Sequence, residues 1–433
     1  MTRTFSPFLQ EFSPSFYFFR NCFFVSICCA VTVTGGCRNA KKNAARAIQA
    51  DAITLPETVE LAAAEKQRIT TLSDAWFNTY LQNSAFNGGV IVAKNGAIAY
   101  ERYKGTDDKT GAGIDTNSVF HIASVTKTFT AMLVLKLWED GKLNIDAPLK
   151  KYFPAFNYDD ITVKDLLTHR SGLPNYLYFM EKLWVDKTRF IKNEDILTYL
   201  INYKGLLKDI GKPNSRFSYS NTNYALLALL IEKVTGNSYA AFVDSALLKP
   251  LKMRHSFVYT QKDSVRTSKS FDYRGGEIPF NYLDAVYGDK NIYSTPRDLL
   301  IWDRYLNSGL FLKPETLAAA YMPYSNERPG IKNYGLGWRM NVYDNGKKMI
   351  FHNGWWHGNN AVFIRLMDEN ATIIVLNNKY SSATYKARLL ANIFYPYYLD
   401  NAGEDGEPVD ANATSVDTTA TNNAIQKRNT KVQ

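Results

Sequence analysis

Ser124-Val125-Thr126-Lys127 is the one Ser-x-x-Lys in the sequence, and it stands just before the apolar run Phe129 to Trp138. That run reads as a buried helix closed at Gly141, with Ser124 in its first turn and Lys127 one turn later on the same face. A serine hydroxyl is a weak nucleophile until a neighbouring base takes its proton, and a lysine whose charge is disfavoured by burial can do so. The helix N-terminus adds amide donors close by. The four letters alone fit a plain serine N-cap with a solvated lysine, so the assignment depends on the rest of the chain.

A second group must handle the proton on the leaving atom, and Tyr219-Ser220-Asn221 supplies a Tyr-x-Asn. Tyr305, Tyr324 and Tyr343 begin the same pattern, but only Tyr219 lies in a Phe-Ser-Tyr-Ser-Asn loop that runs into an apolar helix, Tyr224 to Val234. The third element should line the opposite wall of a cleft from a strand edge. His352-Asn353-Gly354, the only His-x-Gly, follows the β-prone Ile350 and Phe351 as required. Lys109-Thr110-Gly111 precedes Ser124 and lies in a polar loop, which removes it from consideration.

These residues need elements to hold them. Leu61, Ile69, Leu72, Trp76 and Tyr80 recur at helical spacing, an amphipathic helix that should pack on a sheet. Val90 to Ala93 and Ala97 to Tyr100 form a hairpin across Asn95-Gly96, where positive φ angles are accessible. Gly337 to Val342, Lys348 to His352, Ala361 to Met367 and Ala371 to Asn377 read as further strands, so both ends of the domain should share one antiparallel sheet. Between them, Val163 to Thr168, Glu194 to Tyr203, Thr222 to Thr235 and Ala240 to Leu248 carry helical patterns. The expected fold class is α/β, an antiparallel sheet flanked by helices with a mostly helical insertion over about 155–285.

The order Ser124-x-x-Lys127, Tyr219-x-Asn221, His352-x-Gly354 resembles the class C β-lactamases, D-alanyl-D-alanine peptidases and related esterases. The stretches His121 to Ala131, Leu166 to Pro174, Tyr293 to Leu299 and Tyr334 to Trp338 are similar to segments of that family, and the likeness spans roughly 66–400. The resemblance implies an acylated Ser124, proton transfer shared by Lys127 and Tyr219, and substrate contacts from Asn221, His352, Gly354 and Trp355. It also implies an oxyanion hole built from the amides of Ser124 and Trp355. His352 replaces the lysine or arginine-like cation that many β-lactamases carry there, and with an ordinary pKa of ~6.5 it is mostly neutral at pH 7. That tilts the expectation toward a peptidase or esterase, with a class C-like β-lactamase and a non-catalytic envelope binding protein as the alternatives.

Hydrophobic residues make up 45% and charged residues 21% of the 433, the balance of a globular chain able to bury a large core. The net charge of +10 comes from Lys and Arg scattered among acids, which argues against nucleic-acid binding. Five histidines without acid clusters do not make a metal site, and no cofactor is implied. His121, His169 and His255 read as structural.

All four cysteines fall within the first 37 residues. Arg3 and Arg20 precede an apolar run, Cys22 to Val33, too short to span ~30 Å of bilayer but suited to a signal-peptide core. Thr34-Gly35-Gly36-Cys37 resembles a lipobox, with Thr34 a departure from its usual Leu. The expected organisation is a lipoprotein signal at 1–36, lipidation at Cys37, a tether at 37–65, the hydrolase domain at 66–400 and a disordered tail at 401–433. The expected partners are a small-molecule or peptide substrate and the membrane of the cell envelope, reached through the lipid.

Overall fold

The computed structural model describes residues 52–107 and 109–397. The expected signal segment, Cys37, the first part of the tether and the 401–433 tail lie outside the described residues.

Helix α1 (Ala63–Tyr80) is followed by strands β1 (Gly88–Lys94) and β2 (Ala97–Lys104). Asn95 at φ 54° and Gly96 at φ 73° form the tight turn between them, the pair of positive angles that a two-residue hairpin demands. The chain returns to this sheet only near its end, through β6 (Lys332–Tyr334), β7 (Arg339–Val342), β8 (Lys348–Trp356), β9 (Asn359–Leu366) and β10 (Ala371–Asn377). The seven strands run in the order β2-β1-β10-β9-β8-β7-β6, and every pairing is antiparallel. Both termini of the domain therefore share one sheet, as the strand patterns require.

Strands β9 and β10 are buried along their whole length. Their alternate residues serve two different cores, as successive side chains of a strand must. Val90, Val92, Ile373 and Val375 pack with Ile69, Trp76 and Phe77 of α1. Ile91, Phe363, Ile374 and Leu376 face the larger, helical side. Burying each such aliphatic or aromatic side chain contributes about 1.5–3 kcal/mol, so covering both faces makes the sheet a rigid base.

The helical side is built around α2 (Thr126–Glu139) and carries α3 (Val163–Leu167), α4 (Tyr176–Leu183), α5 (Asn193–Asn202), α6 (Asn221–Thr235) and α7 (Tyr239–Val243). Helix α2 is buried almost all round, and Phe129 stacks on Trp302 with ring centroids 4.6 Å apart. It closes at Gly141, whose φ of 70° allows the Lys142 amide to reach back to the Leu137 carbonyl. Helices α8 (Pro296–Asn307) and α9 (Pro314–Ala320) lead back toward the sheet.

The sequence patterns did not predict a second, three-stranded sheet of β3 (Phe120–His121), β5 (Ile292–Ser294) and β4 (Phe257–Val258). Strands of two or three residues are too short to show periodicity. This small sheet matters because β3 leads directly into the turn that carries Ser124.

Candidate active site

Ser124 lies in a single 3₁₀ turn, Ala123–Val125, wedged between β3 and α2. The preceding Ala123 is held at φ 46°, a left-handed conformation that a residue with a Cβ rarely adopts. Two contacts fix it. The Ala123 amide donates to His121 Nδ1 at 3.1 Å, and the other ring nitrogen of His121 lies 2.9 Å from Asn291 Oδ1. Burial pushes the pKa of His121 down to about 4, so the ring is neutral and Nδ1 is free to accept while Nε2–H donates to Asn291.

Lys127 lies one turn into the helix, fully buried. Its Nζ is 3.0 Å from Ser124 Oγ, 2.8 Å from Asn221 Oδ1 and 2.8 Å from the Asp289 carbonyl. Three acceptors match the three protons of an ammonium and aim one of them at the serine. The Tyr219 hydroxyl reaches the same Oγ at 3.0 Å. Ser220 is the extended N-cap residue of α6, so Tyr219 lies two positions before the helix and Asn221 is the first residue within it. That placement brings Tyr219, Asn221 and Lys127 together although Tyr219 is far from Ser124 in sequence.

Tyr219 is gripped on its ring faces. The His169 ring packs against it, tilted by 37° with centroids 4.3 Å apart, the Lys127 ammonium lies 5.0 Å from the Tyr219 centroid and the Arg339 guanidinium 4.9 Å. His169 accepts from the Ser220 amide and lies 3.1 Å from the Asn223 amide nitrogen, both through Nδ1. Burial, reinforced by the charge of Lys127, holds the pKa of His169 well below the usual histidine range, so a neutral ring lies beside the phenol.

The wall opposite is β8. Strand β7 pairs with β8 only as far as Phe351, which leaves the later edge of β8 open toward the nucleophile turn. Gly354 is required there: a Cβ on it would come within 2.4 Å of the Ile122 carbonyl oxygen and 3.0 Å of the Ser124 nitrogen. Tyr385 donates its hydroxyl to the Gly354 carbonyl at 3.0 Å and receives the Asn360 amide of β9 at 3.1 Å. Because a peptide unit is planar and trans, the Trp355 N–H leaves in the opposite direction, away from β9. Gly354 of β8 thus lies directly against the Ser124 amide. Trp355 itself is 49% exposed, with its ring tilted against Tyr380 at 5.8 Å between centroids, so it forms an aromatic lip.

His352 lies deeper than its motif suggests. The sequence reading gave it a substrate contact, but the side chain is fully buried among Tyr219 and Tyr334, with Nε2 3.2 Å from the Tyr334 hydroxyl and Nδ1 2.7 Å from the Asn353 carbonyl. Burial and the nearby charges of Arg339 and Lys127 keep its pKa well below the usual range. Both ring nitrogens have partners within the protein, and His352 packs under the site.

Behind the Lys127 anchor lies a cluster with no signature in sequence spacing. Asp289, Lys290 and Tyr176 are all buried, with the Tyr176 hydroxyl donating to Asp289 Oδ2 at 2.9 Å and Lys290 Nζ 3.6 Å from the same oxygen. Lys290 also donates to Tyr176 and lies 4.6 Å from the ring centroid of Trp356, at the end of β8. Trp356 Nε1 and His357 Nε2 both bind Asp284. Burial pushes the Asp284 carboxyl up, but the His357, Asn281 and Trp356 bonds outweigh it and keep it below its ordinary pKa. The cluster ties the Lys127 anchor to the end of β8.

Residues 73–395 match the model of the Beta-lactamase family. The chain belongs to that family. It is 30% identical to penicillin-binding protein 4* of Bacillus subtilis (strain 168) over 359 residues, 79% of each chain. It is 35% identical to the teichoic acid D-alanine hydrolase of Staphylococcus aureus (strain MRSA252) over 226 residues, and so spans 54% of that relative's length. A penicillin-binding protein from Bacillus halodurans shares its fold with a TM-score of 0.63 at 22% identity, over 74% of this chain and 98% of the other. The β-lactamase family fold is an antiparallel sheet with helices and a helical insertion, and the chain is a serine hydrolase of this family.

Proposed function

We propose that this hydrolase cleaves D-alanyl esters or amides of the cell envelope through an acyl-enzyme on Ser124. One observation carries the reading: Ser124 Oγ lies 3.0 Å from both Lys127 Nζ and the Tyr219 hydroxyl. In the reactive form Tyr219 has given up its proton, and the flanking ammonium of Lys127 and guanidinium of Arg339 stabilise the phenolate. Ser124 Oγ attacks the carbonyl carbon as its proton passes to Tyr219, and the carbonyl electrons move to an oxygen held by the Ser124 and Trp355 amides. Collapse of that intermediate expels the alcohol or amine, which takes the proton from Tyr219. Water then repeats the sequence on the acyl-serine and releases free acid. Each oxyanion donor contributes about 10²–10³ in rate.

Asn221 holds Lys127 through its side-chain oxygen and reaches substrate through its amide nitrogen. The D-alanyl class is supported by the likeness to the teichoic acid D-alanine hydrolase. The buried, neutral His352 removes a cation that would grip a β-lactam carboxylate, which favours ester or peptide substrates over β-lactams. Export and a lipid on Cys37 would place the site outside the cytoplasm. Hydrolysis of a D-alanyl ester, its L-alanyl epimer and a cephalosporin by the purified protein tests the reading: faster turnover of the D-alanyl ester supports it, and faster turnover of the cephalosporin contradicts it.

A further inference from the structure

Beside Tyr219, at the free edge of the large sheet, lies a cavity of 730 Å³. Three lining residues tie it to the site. Phe217 is two positions before Tyr219, Arg339 lies over the Tyr219 ring, and Asn353 adjoins Gly354. The volume falls within the ~300–1,000 Å³ typical of small-molecule sites and exceeds what one alanyl group fills. The cavity is therefore shaped for a part of the substrate beyond the scissile bond.

Its charge is lopsided. Arg216, Arg328, Lys332 and Arg339 line it, against a single acid, Glu327. That carboxylate is already engaged: Arg170 binds it at 2.8 Å and the Phe217 amide donates to it. Burial raises the pKa of Glu327, but these bonds outweigh it and keep the group ionised. Among the described residues no carboxylate lies within ion-pair distance of Arg216 or Arg328, both on the rim. The floor is apolar, with Phe217, Ile331, Met340 and Phe351, and a low-dielectric floor strengthens the pull of the cations above it.

We propose that this cavity is a subsite for an anionic group, a phosphodiester or a carboxylate, carried by the substrate beyond the bond that Ser124 cleaves. The proposal rests on the Ser124 reading and extends it to a substrate class. Guanidinium groups suit both anions, because their planar donor fork pairs with two oxygens at once. An aromatic and aliphatic floor accommodates the carbon skeleton between the anion and the ester.

The test uses three D-alanyl esters that differ only in the alcohol: glycerol, glycerol bearing a methyl phosphodiester, and glyceric acid. Each is assayed with the wild type and with the double variant Arg216→Ala/Arg328→Ala, whose thermal midpoint is checked first. The expected result is a wild-type preference of about tenfold or more in kcat/KM for at least one anionic ester over the neutral one, carried by KM and weakened by salt. In the double variant that ratio falls to within about threefold of unity. Which anion is preferred identifies the source. Equal kcat/KM for all three esters in the wild type overturns the proposal, as does a preference that survives in the double variant. Acylation of Ser124 by the neutral ester is measured separately, so that loss of the underlying reading is distinguished from loss of the subsite alone.

Discussion

Gly354→Ala tests whether β8 forms a wall of the active site. The added Cβ would meet the Ile122 carbonyl oxygen at 2.4 Å, Ala123 Cβ at 3.0 Å and the Ser124 nitrogen at 3.0 Å. Two of those atoms are backbone and cannot rotate away. Restoring an ordinary contact near 3.4 Å requires β8 and the nucleophile turn to part by about 1 Å. A misplacement of ~1 Å in an active site costs about 10²-fold in rate, or ~2.7 kcal/mol of transition-state stabilisation. Overpacking at such a contact also costs ~1–3 kcal/mol of stability, so the variant still folds. Stopped-flow acylation by an activated D-alanyl ester reads the first effect and urea unfolding the second. Gly205→Ala, where an added Cβ meets nothing within 4 Å, is the control and should be silent in both. Acylation of Gly354→Ala at the wild-type rate, with the fold intact, would show that β8 takes no part in the chemistry.

Tyr219→Phe should slow acylation by ~10²–10⁴-fold and Lys127→Met at least as much, while the double variant is little worse than the worse single one. Additive losses in pre-steady-state rates would separate the two residues. Lys290→Met leaves the buried Asp289 carboxylate without its cation and should destabilise by ~3–5 kcal/mol in urea melts, whereas Asp289→Asn/Lys290→Met should recover most of that loss. His121 gives a pH dependence. Its folded pKa, about 4, lies below the unfolded value of ~6.5, so below pH 6.5 the unfolded chain gains a proton that the folded protein refuses. Stability is complete above pH 6.5 and falls by ~3 kcal/mol as the pH drops to 4, a component that His121→Asn should remove from urea midpoints measured across that range.

The parts of the site that were legible in sequence are local. Ser124 and Lys127 are one helical turn apart, and a continuous apolar run ending at Gly141 announces the helix that holds them. Asn95-Gly96 announces the first hairpin for the same reason. Tyr219 was separable from Tyr305, Tyr324 and Tyr343 because it alone leads into a buried helix. What stayed hidden depends on partners remote in sequence. His121 holds the Ala123 turn only through Asn291, and Tyr385 turns the Gly354 peptide from beyond the last strand. Asp289 and Lys290 look like a solvated charge pair, yet both are buried against Tyr176. His352 is a different case. Its place in a cleft-edge motif suggested a ligand, whereas the side chain enters a nest of tyrosines under the strand. Pattern gives a residue's position along a strand, but which side of the sheet is crowded is settled by the helices packed against it.

The most direct test of the account is the intact mass of the protein quenched within milliseconds of mixing with an activated D-alanyl ester, followed by peptide mapping. The wild type should gain a single D-alanyl group carried by Ser124, and Ser124→Ala, equally folded, should gain none. A D-alanyl adduct on any other residue, or the same adduct on Ser124→Ala, would contradict the assignment of Ser124 as the nucleophile.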